Sequence, residues 1–164
     1  MSRLDEATFA AFHARCAGAL RAYVYRVIGN SPDVEDIVQE AFLRMLRSDV
    51  PADDEEHLRR YLYRVASNLI VDRWRKRKFE EGSEMRQEPA TPKARYEDDA
   101  AIAKIFSELK SRDRALLWLA YVEGESHAEI ASSLGVGRNG VKVMLFRARR
   151  RLRDLLQARG LLVN

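Results

Sequence analysis

Few of the 164 residues are of the types that build disulfides, metal sites or catalytic centres. Cys16 is the single cysteine, which excludes a disulfide framework and a CxxC zinc motif. His13, His57 and His127 lie far apart without metal-ligand spacing, and the sequence has no phosphate-binding loop or nucleophile motif. We therefore expect no catalytic residue, no metal and no cofactor, and we interpret Cys16 as a small buried residue.

Long apolar segments and strand patterns are missing as well. The longest apolar run, ALLWLAYV, is far too short to cross a bilayer. The N-terminal stretch MSRLDEATFAAFHARC has acidic residues where a secretory signal is apolar. The chain is accordingly expected in the cytoplasm, without direct membrane insertion. Because no segment shows the alternation typical of strands, we predict an all-α protein.

Helical periodicity divides the chain into two small helical domains. Residues 81–100 contain Gly, two Pro and many charges with little to bury, which is typical of a flexible linker. We predict one domain in residues 1–80 and another in residues 101–164. The predicted helices span residues 8–28, 32–47 with Ser31 as a cap, 57–79, 101–109, 112–122, 127–134 and 138–157.

Charge is segregated along the chain, although the net charge of +4 is modest. Acidic residues cluster at 33–40, 53–56 and 80–99, whereas basic residues cluster at 73–78 and 138–153. The second basic cluster has seven Lys or Arg and no acid. Like charges at helical spacing repel each other, so this pattern favours a polyanionic partner.

Residues 126–157 have the pattern of a helix-turn-helix. Ser126 and Glu129 form a capping-box sequence that opens a short helix. Gly135 supplies the backbone freedom that a tight turn needs, and Gly137 precedes the last helix. A short helix, a glycine corner and a second helix are the arrangement of many DNA-binding proteins.

The last helix is predicted to bury Val141, Met144, Leu145, Ala148 and Leu152. Its opposite face can neutralise phosphates and reach guanine edges in the major groove. The two apolar residues on that face can touch thymine methyl groups or a protein. A solvated basic helix is the alternative interpretation. The candidate DNA-binding residues are Arg138, Asn139, Lys142, Val143, Phe146, Arg147 and Arg150.

The second helix, in SPDVEDIVQEAFLRMLR, has an acidic outer face with an apolar centre. From spacing alone, an ordinary solvent face is the simpler interpretation. An apolar residue within an acidic surface nevertheless resembles a docking site for a basic partner. The candidate docking residues are Asp36, Gln39, Glu40 and Leu43.

The third helix, in RYLYRVASNLIVDRWRKRK, carries basic residues interleaved with aromatics. Such a stripe suits nucleic acid with exposed bases, since rings stack on bases and Arg holds phosphates. Core packing is the alternative for each of Tyr61, Tyr63 and Trp74. We expect Arg60, Arg64, Ser67, Asn68, Val71, Arg75 and Lys78 to point outward.

These segments together resemble an extracytoplasmic-function (ECF, group IV) sigma factor of the sigma-70 family, over residues 5–157. The segment DVEDIVQEAFLRML is similar to the family's core-polymerase-binding segment, and YLYRVASNLIVDRWRKRK to its −10 element segment. The stretch from LKSRDRALLWLAYVEG to FRARRRLRDLL is similar to its −35 element domain. The resemblance implies a bacterial promoter-specificity subunit that binds core RNA polymerase and helps to melt promoter DNA.

The resemblance also implies roles for residues. Asp36, Gln39 and Glu40 would bind the clamp helices of the largest polymerase subunit, and the polymerase flap would be a further contact. The loop 48–56, with Asn68 nearby, would hold a base flipped from the −10 element. The last helix would read the −35 major groove, and an anti-sigma factor is an expected partner. The candidate −10 residues are Arg64, Asn68, Arg73, Trp74, Arg75 and Lys76.

The last helix departs from the family pattern. Gly137, Gly140, Val143 and Met144 stand where the family often has Ser, Thr, Ser and Arg, which puts the −35 contacts in question. Two alternatives stay open on the sequence: a stand-alone helix-turn-helix regulator, and a sigma-like interaction module without promoter activity.

Overall fold

The computed structural model describes residues 4–51, 53–81 and 97–162, and these residues form seven α-helices and no strand. The all-α prediction is therefore confirmed. No helix in the described ranges has the length and apolar character needed to cross a membrane. The helices are α1 (Glu6–Ile28), α2 (Asp33–Leu46), α3 (Glu55–Glu81), α4 (Glu97–Ser107), α5 (Ser111–Tyr121), α6 (His127–Leu134) and α7 (Arg138–Ala158).

Local signals set most of the helix ends. The capping box of α6 is present: the Glu129 amide donates to Ser126 Oγ at 3.2 Å, and the Ser126 amide to Glu129 Oε1 at 3.4 Å. At the start of α2, Ser31 Oγ accepts from the Asp33 amide at 3.2 Å. Helix α4 begins four residues earlier than predicted. Residues 82–96, most of the predicted linker, lie outside the described residues.

The two helical lobes, α1–α3 and α4–α7, pack against each other. Helix α3 lies along α6, and α1 lies along α5. The largest apolar cluster contains side chains from both lobes, including Leu20 and Val24 of α1, Leu116 and Leu119 of α5, and Ile130 of α6. The periodicity predicts the two lobes but not this shared core, because each pattern reports only which face of its own helix is apolar.

Two residues expected to point outward from α3 are buried. Ser67 is fully buried, and its hydroxyl lies 2.8 Å from the Tyr23 hydroxyl of α1. Val71 is also buried, in the cluster that both lobes share. The prediction was wrong for these two positions because α3 is covered on more than one side. Cys16, in contrast, is buried as predicted.

Two glycines of the helix-turn-helix are expected to respond in opposite directions when each is replaced by alanine. Gly135 ends α6 with φ of 64°, which strains any other residue, so Gly135→Ala is expected to lower the free energy of unfolding by about 1–2 kcal/mol. Gly140 lies inside α7, where a Cβ would meet nothing nearer than Met144 Sδ at 3.9 Å. Gly140→Ala is therefore expected to raise that free energy by up to ~1 kcal/mol. Urea denaturation measures both changes. Changes of the same sign in the two variants would contradict the roles assigned to these glycines.

Candidate nucleic-acid interface

The outer face of α7 is accessible in the structure. Val141, Leu145 and Ala148 are buried against the C-terminal lobe, which confirms the predicted inner stripe at these positions. Val143 and Phe146 are about half exposed despite being apolar. Every candidate DNA-binding residue of this helix is exposed: Arg138, Asn139, Lys142, Val143, Phe146, Arg147 and Arg150.

Other cations of α7 are used to hold the helix in place. Arg151 pairs with the buried carboxylate of Asp113 on α5 at 2.8 Å, and Arg149 donates to the Tyr121 hydroxyl at 2.6 Å. Within the described part of the chain, no candidate residue of α7 takes part in an ion pair. Some cations of α7 therefore fix the position of the helix. The others form an exposed basic face, which suits phosphate binding.

The acidic face of α2 is exposed around an apolar centre. Asp36 and Gln39 are exposed, and Leu43 keeps 43% of its surface accessible. Glu40 pairs along the helix with Arg44 at 3.0 Å. A groove of about 460 Å³ runs between this face and the basic end of α3, where Lys76 lies. The predicted docking residues are thus on one accessible surface.

The −10 candidates on α3 fall into two groups. Arg64 is exposed, with its guanidinium over the Tyr61 ring at 5.4 Å, and Lys76 is exposed beside the α2 groove. Arg73, by contrast, has its guanidinium paired with Asp33 and donates to Ser31 Oγ at 3.2 Å. Arg73 therefore holds the start of α2 in this structure instead of lying open to a ligand.

The remaining −10 candidates face the C-terminal lobe. Asn68 is exposed, but the end of its amide lies against α6; with the nitrogen assigned to that side, it donates to the carbonyl oxygens of Ser132 and Ser133 at 3.2 and 2.8 Å. Trp74 is buried, and its indole donates to Ser111 Oγ at 3.1 Å. Arg75 Nη2 lies 3.5 Å from the position of a Cβ on Gly135. Helices α5 and α6 thus cover part of the predicted base-reading stripe.

A polar contact at the end of α1 holds the two lobes together. Ser111 Oγ and Arg114 Nη2 both donate to the Val27 carbonyl oxygen at 2.7 Å. Arg114 is fully buried and also donates to the Ser107 carbonyl at 2.7 Å. Burial lowers the pKa of the Arg114 guanidinium to about 10. Helical periodicity does not predict this contact, although an Arg directly before the apolar run ALLWLAYV is a signal that could have pointed to it.

A second contact joins α3 to the loop before α6. Arg59 pairs with Glu123, whose side chain is 8% exposed, and with Glu56 at 3.0 Å. Its guanidinium also lies 5.8 Å from the centre of the Tyr63 ring. No set of three His, Cys, Asp or Glu side chains in the described ranges is arranged to hold a metal ion.

Arg59 and its neighbour Arg60 form a matched pair for testing the junction. Arg59→Met leaves the carboxylate of Glu123 buried without its cation, so we expect the free energy of unfolding to fall by about 1–3 kcal/mol. Arg60 is half exposed, and Arg60→Met is expected to change it by less than about 0.5 kcal/mol. Denaturant titration measures both. Similar losses in the two variants would show that the Glu123 contact does not hold the lobes.

Known protein families match this chain on both lobes. The family model for sigma-70 region 2 matches residues 12–80, and the model for sigma-70 region 4 matches residues 99–152. The ECF RNA polymerase sigma factor SigL of Mycobacterium tuberculosis is 31% identical to this chain, over 95% of this chain and 93% of SigL.

Solved structures agree on the fold. The sigma factor RpoE, in complex with the anti-sigma factor NepR from Bartonella quintana, superposes with a TM-score of 0.64 at 22% identity, covering 91% of this chain and 96% of RpoE. CnrH, in complex with the cytosolic domain of CnrY, gives 0.62 at 25% identity, covering 94% and 90%. Both likenesses extend over the two lobes.

Proposed function

This chain belongs to the sigma-70 family and to its ECF group, and from that premise we propose how its surfaces act in transcription. It is an alternative RNA polymerase sigma factor, which binds core polymerase and directs it to promoters through −10 and −35 elements. The observation that carries this function is the match of both sigma-70 regions, in order, on the two lobes of one chain. We infer that it is not itself an enzyme and that it acts in the cytoplasm, where the polymerase is.

The N-terminal lobe is proposed to bind polymerase through α2. Asp36, Gln39 and Glu40 would contact the clamp helices of the largest subunit, and Leu43 would be the apolar centre of that interface. Support comes from the exposure of these side chains on one face and from the charge of the face. An apolar centre with a polar rim is the usual anatomy of a protein interface.

The −10 element is proposed to bind along α3. Arg64 and Asn68 would contact an unstacked base, with help from the loop 48–56, and Arg73, Trp74, Arg75 and Lys76 would lie near the duplex. Unstacking a base costs a few kcal/mol, which a pocket that stacks and hydrogen-bonds it can offset. Asn68 and Trp74 are engaged by α5 and α6, so the lobes must separate before these side chains reach DNA.

The C-terminal lobe is proposed to bind the −35 element with α7 in the major groove. Lys142, Arg147 and Arg150 would neutralise phosphates or reach base edges, as Arg138 and Asn139 would at the helix start. Val143 and Phe146 are apolar and about half exposed on this face, so we expect thymine methyl contacts and an unusual −35 sequence.

An anti-sigma factor is the second proposed protein partner. RpoE and CnrH, whose folds match this chain, were solved with the anti-sigma factor NepR and with the cytosolic domain of CnrY. Exposed apolar side chains on both lobes, Leu43, Val143 and Phe146, are candidate contacts for such a partner.

Run-off transcription tests the function directly. The purified chain, bacterial core polymerase and fragmented DNA of its own genome are expected to yield discrete 5′ ends that share upstream elements. Asp36→Arg should abolish these starts and binding to core polymerase, because it reverses a charge at the docking face. The matched control is Glu6→Arg, at another exposed acid, which should leave both intact. Starts that persist with Asp36→Arg would remove α2 from the polymerase interface.

Core binding without any starts would instead favour an interaction module. Promoter-duplex binding by the isolated chain, without core binding, would favour a stand-alone regulator. Each alternative thus has its own result in the same assay.

Lys142→Ala tests the −35 helix. Removing one phosphate contact is expected to weaken binding of −35 duplex by holoenzyme and to reduce the slope of log K against log salt by about 0.9. Lys104→Ala, at an exposed position on α4, is the control that should leave the slope unchanged. An unchanged slope with Lys142→Ala would place this side chain outside the interface.

A further inference from the structure

Glu125 is a buried carboxyl group at the junction of the two lobes. It stands between α5 and α6 and is 9% exposed. In the described part of the chain, its carboxylate has one side-chain hydrogen bond, from Ser133 Oγ at the long distance of 3.4 Å, and no ion pair. A charged carboxylate normally costs too much to bury in this way unless a cation or several donors compensate.

Of the arginines near Glu125, Arg59 and Arg60 pair with other acids, and Arg64 lies over the Tyr61 ring. Arg59 pairs with Glu123 and Glu56, and Arg60 pairs with Glu56 at 3.2 Å and Glu129 at 3.5 Å. The ionisable groups that face Glu125 are Tyr23 from α1, His57, Arg59, Arg60, Tyr61 and Arg64 from α3, Glu123 from its own loop, and Glu129 from α6.

These surroundings favour the neutral acid. Burial, followed by the nearby carboxylates of Glu129 and Glu123, raises the pKa of Glu125 to about 7, although the Ser133 hydrogen bond and Arg59 act in the opposite direction. A pocket of about 360 Å³, lined by α3 and α6 residues, lies beside the group. Separation of the lobes would remove the α3 wall of this pocket and return the carboxyl to water.

We propose that Glu125 is a proton-sensitive latch between the lobes: its neutral form stabilises their packing, and its carboxylate favours their separation. The geometry that supports this proposal is a buried carboxyl group without an ion pair, at the contact between two lobes that have to separate. It involves neither DNA nor polymerase contact by Glu125 itself.

The direction of the pH effect follows from proton linkage. The packed state holds the Glu125 proton up to a higher pH than the separated state, in which the group has an ordinary pKa near 4.5. The stabilisation of the packed state is therefore complete below that ordinary pKa and is lost as pH rises through about 7. Raising the pH from 5.5 to 8 is expected to shift the ratio of separated to packed chains by about 30-fold.

This latch has a consequence that rests on the proposed function. Packing of the lobes buries Trp74 and engages the amide of the otherwise exposed Asn68, so a chain held closed by protonated Glu125 presents an incomplete −10 surface. Promoter opening by the same holoenzyme would then increase with pH over the range in which Glu125 titrates.

Labelling of Cys16 with dithiodipyridine is expected to measure the opening without any partner, because this thiol belongs to the apolar cluster that both lobes share. The thiol is buried on α1, and Glu123 of the C-terminal lobe is close enough to help raise its pKa. Under conditions of rapid closing, the labelling rate reports the open fraction even when that fraction is small. Comparing variants at one pH cancels the ionisation of the thiol itself.

Glu125→Gln mimics the neutral acid and is the decisive variant. The ratio of the wild-type labelling rate to that of Glu125→Gln is expected to grow about 30-fold between pH 5.5 and pH 8. Glu6→Gln, at an exposed position, should follow the wild type throughout. A ratio that does not change with pH would overturn the latch.

Two further measurements keep the inference open to refutation if Glu125→Gln fails to fold. In the unmodified chain, the carboxyl carbon of Glu125 should titrate near pH 7 by NMR, and titration in the ordinary range would refute the proposal. The free energy of opening from Cys16 labelling should also be smaller than the free energy of global unfolding from urea. If these two free energies were equal, Cys16 would become accessible only by global unfolding, and the latch between the lobes would be overturned. Because these readouts contain no polymerase or promoter, they stand or fall separately from the transcription assay.

Discussion

The carbonyl oxygen of Val27 lies in the last turn of α1, where a helix leaves its final four carbonyls without intrahelical donors. Here that end is buried, so the oxygen needs a partner from elsewhere in the chain. Ser111 and Arg114 supply two donors from the other lobe, and Trp74 donates in turn to Ser111. The packing of α5 on α1, and with it the position of α6 over α3, depends on satisfying this one group.

The two proposed DNA-binding surfaces differ in how accessible they are while the lobes are packed. The basic face of α7 is accessible, because its apolar stripe is buried within its own lobe. The polar stripe of α3 is partly covered, because α6 accepts hydrogen bonds from Asn68 and α5 accepts one from Trp74. Those side chains are polar enough to bind DNA and for the same reason can bind a second lobe.

Local features of the fold were predictable from the sequence, and contacts between lobes were not. The capping box at Ser126 and Glu129 and the left-handed Gly135 depend on residues within one turn of each other, so a short pattern specifies them. The burial of Ser67 and Arg114 depends on helices far away in the chain, and no periodicity encodes which helix will cover a given face. For the candidate site, the accessible α2 and α7 faces were predicted, whereas the junction residues Arg59, Glu123 and Glu125 were not.

The lobe that buries Trp74 and engages Asn68 is part of the same molecule, and this determines how the contact can be released. A separate inhibitor dissociates when it is diluted, but the two lobes keep a fixed effective concentration for each other at any amount of protein. The packed fraction is therefore a property of each chain and does not depend on how much of it a cell makes. At a given pH, the packed fraction changes when a ligand binds one arrangement better than the other, according to that ligand's own concentration and affinity.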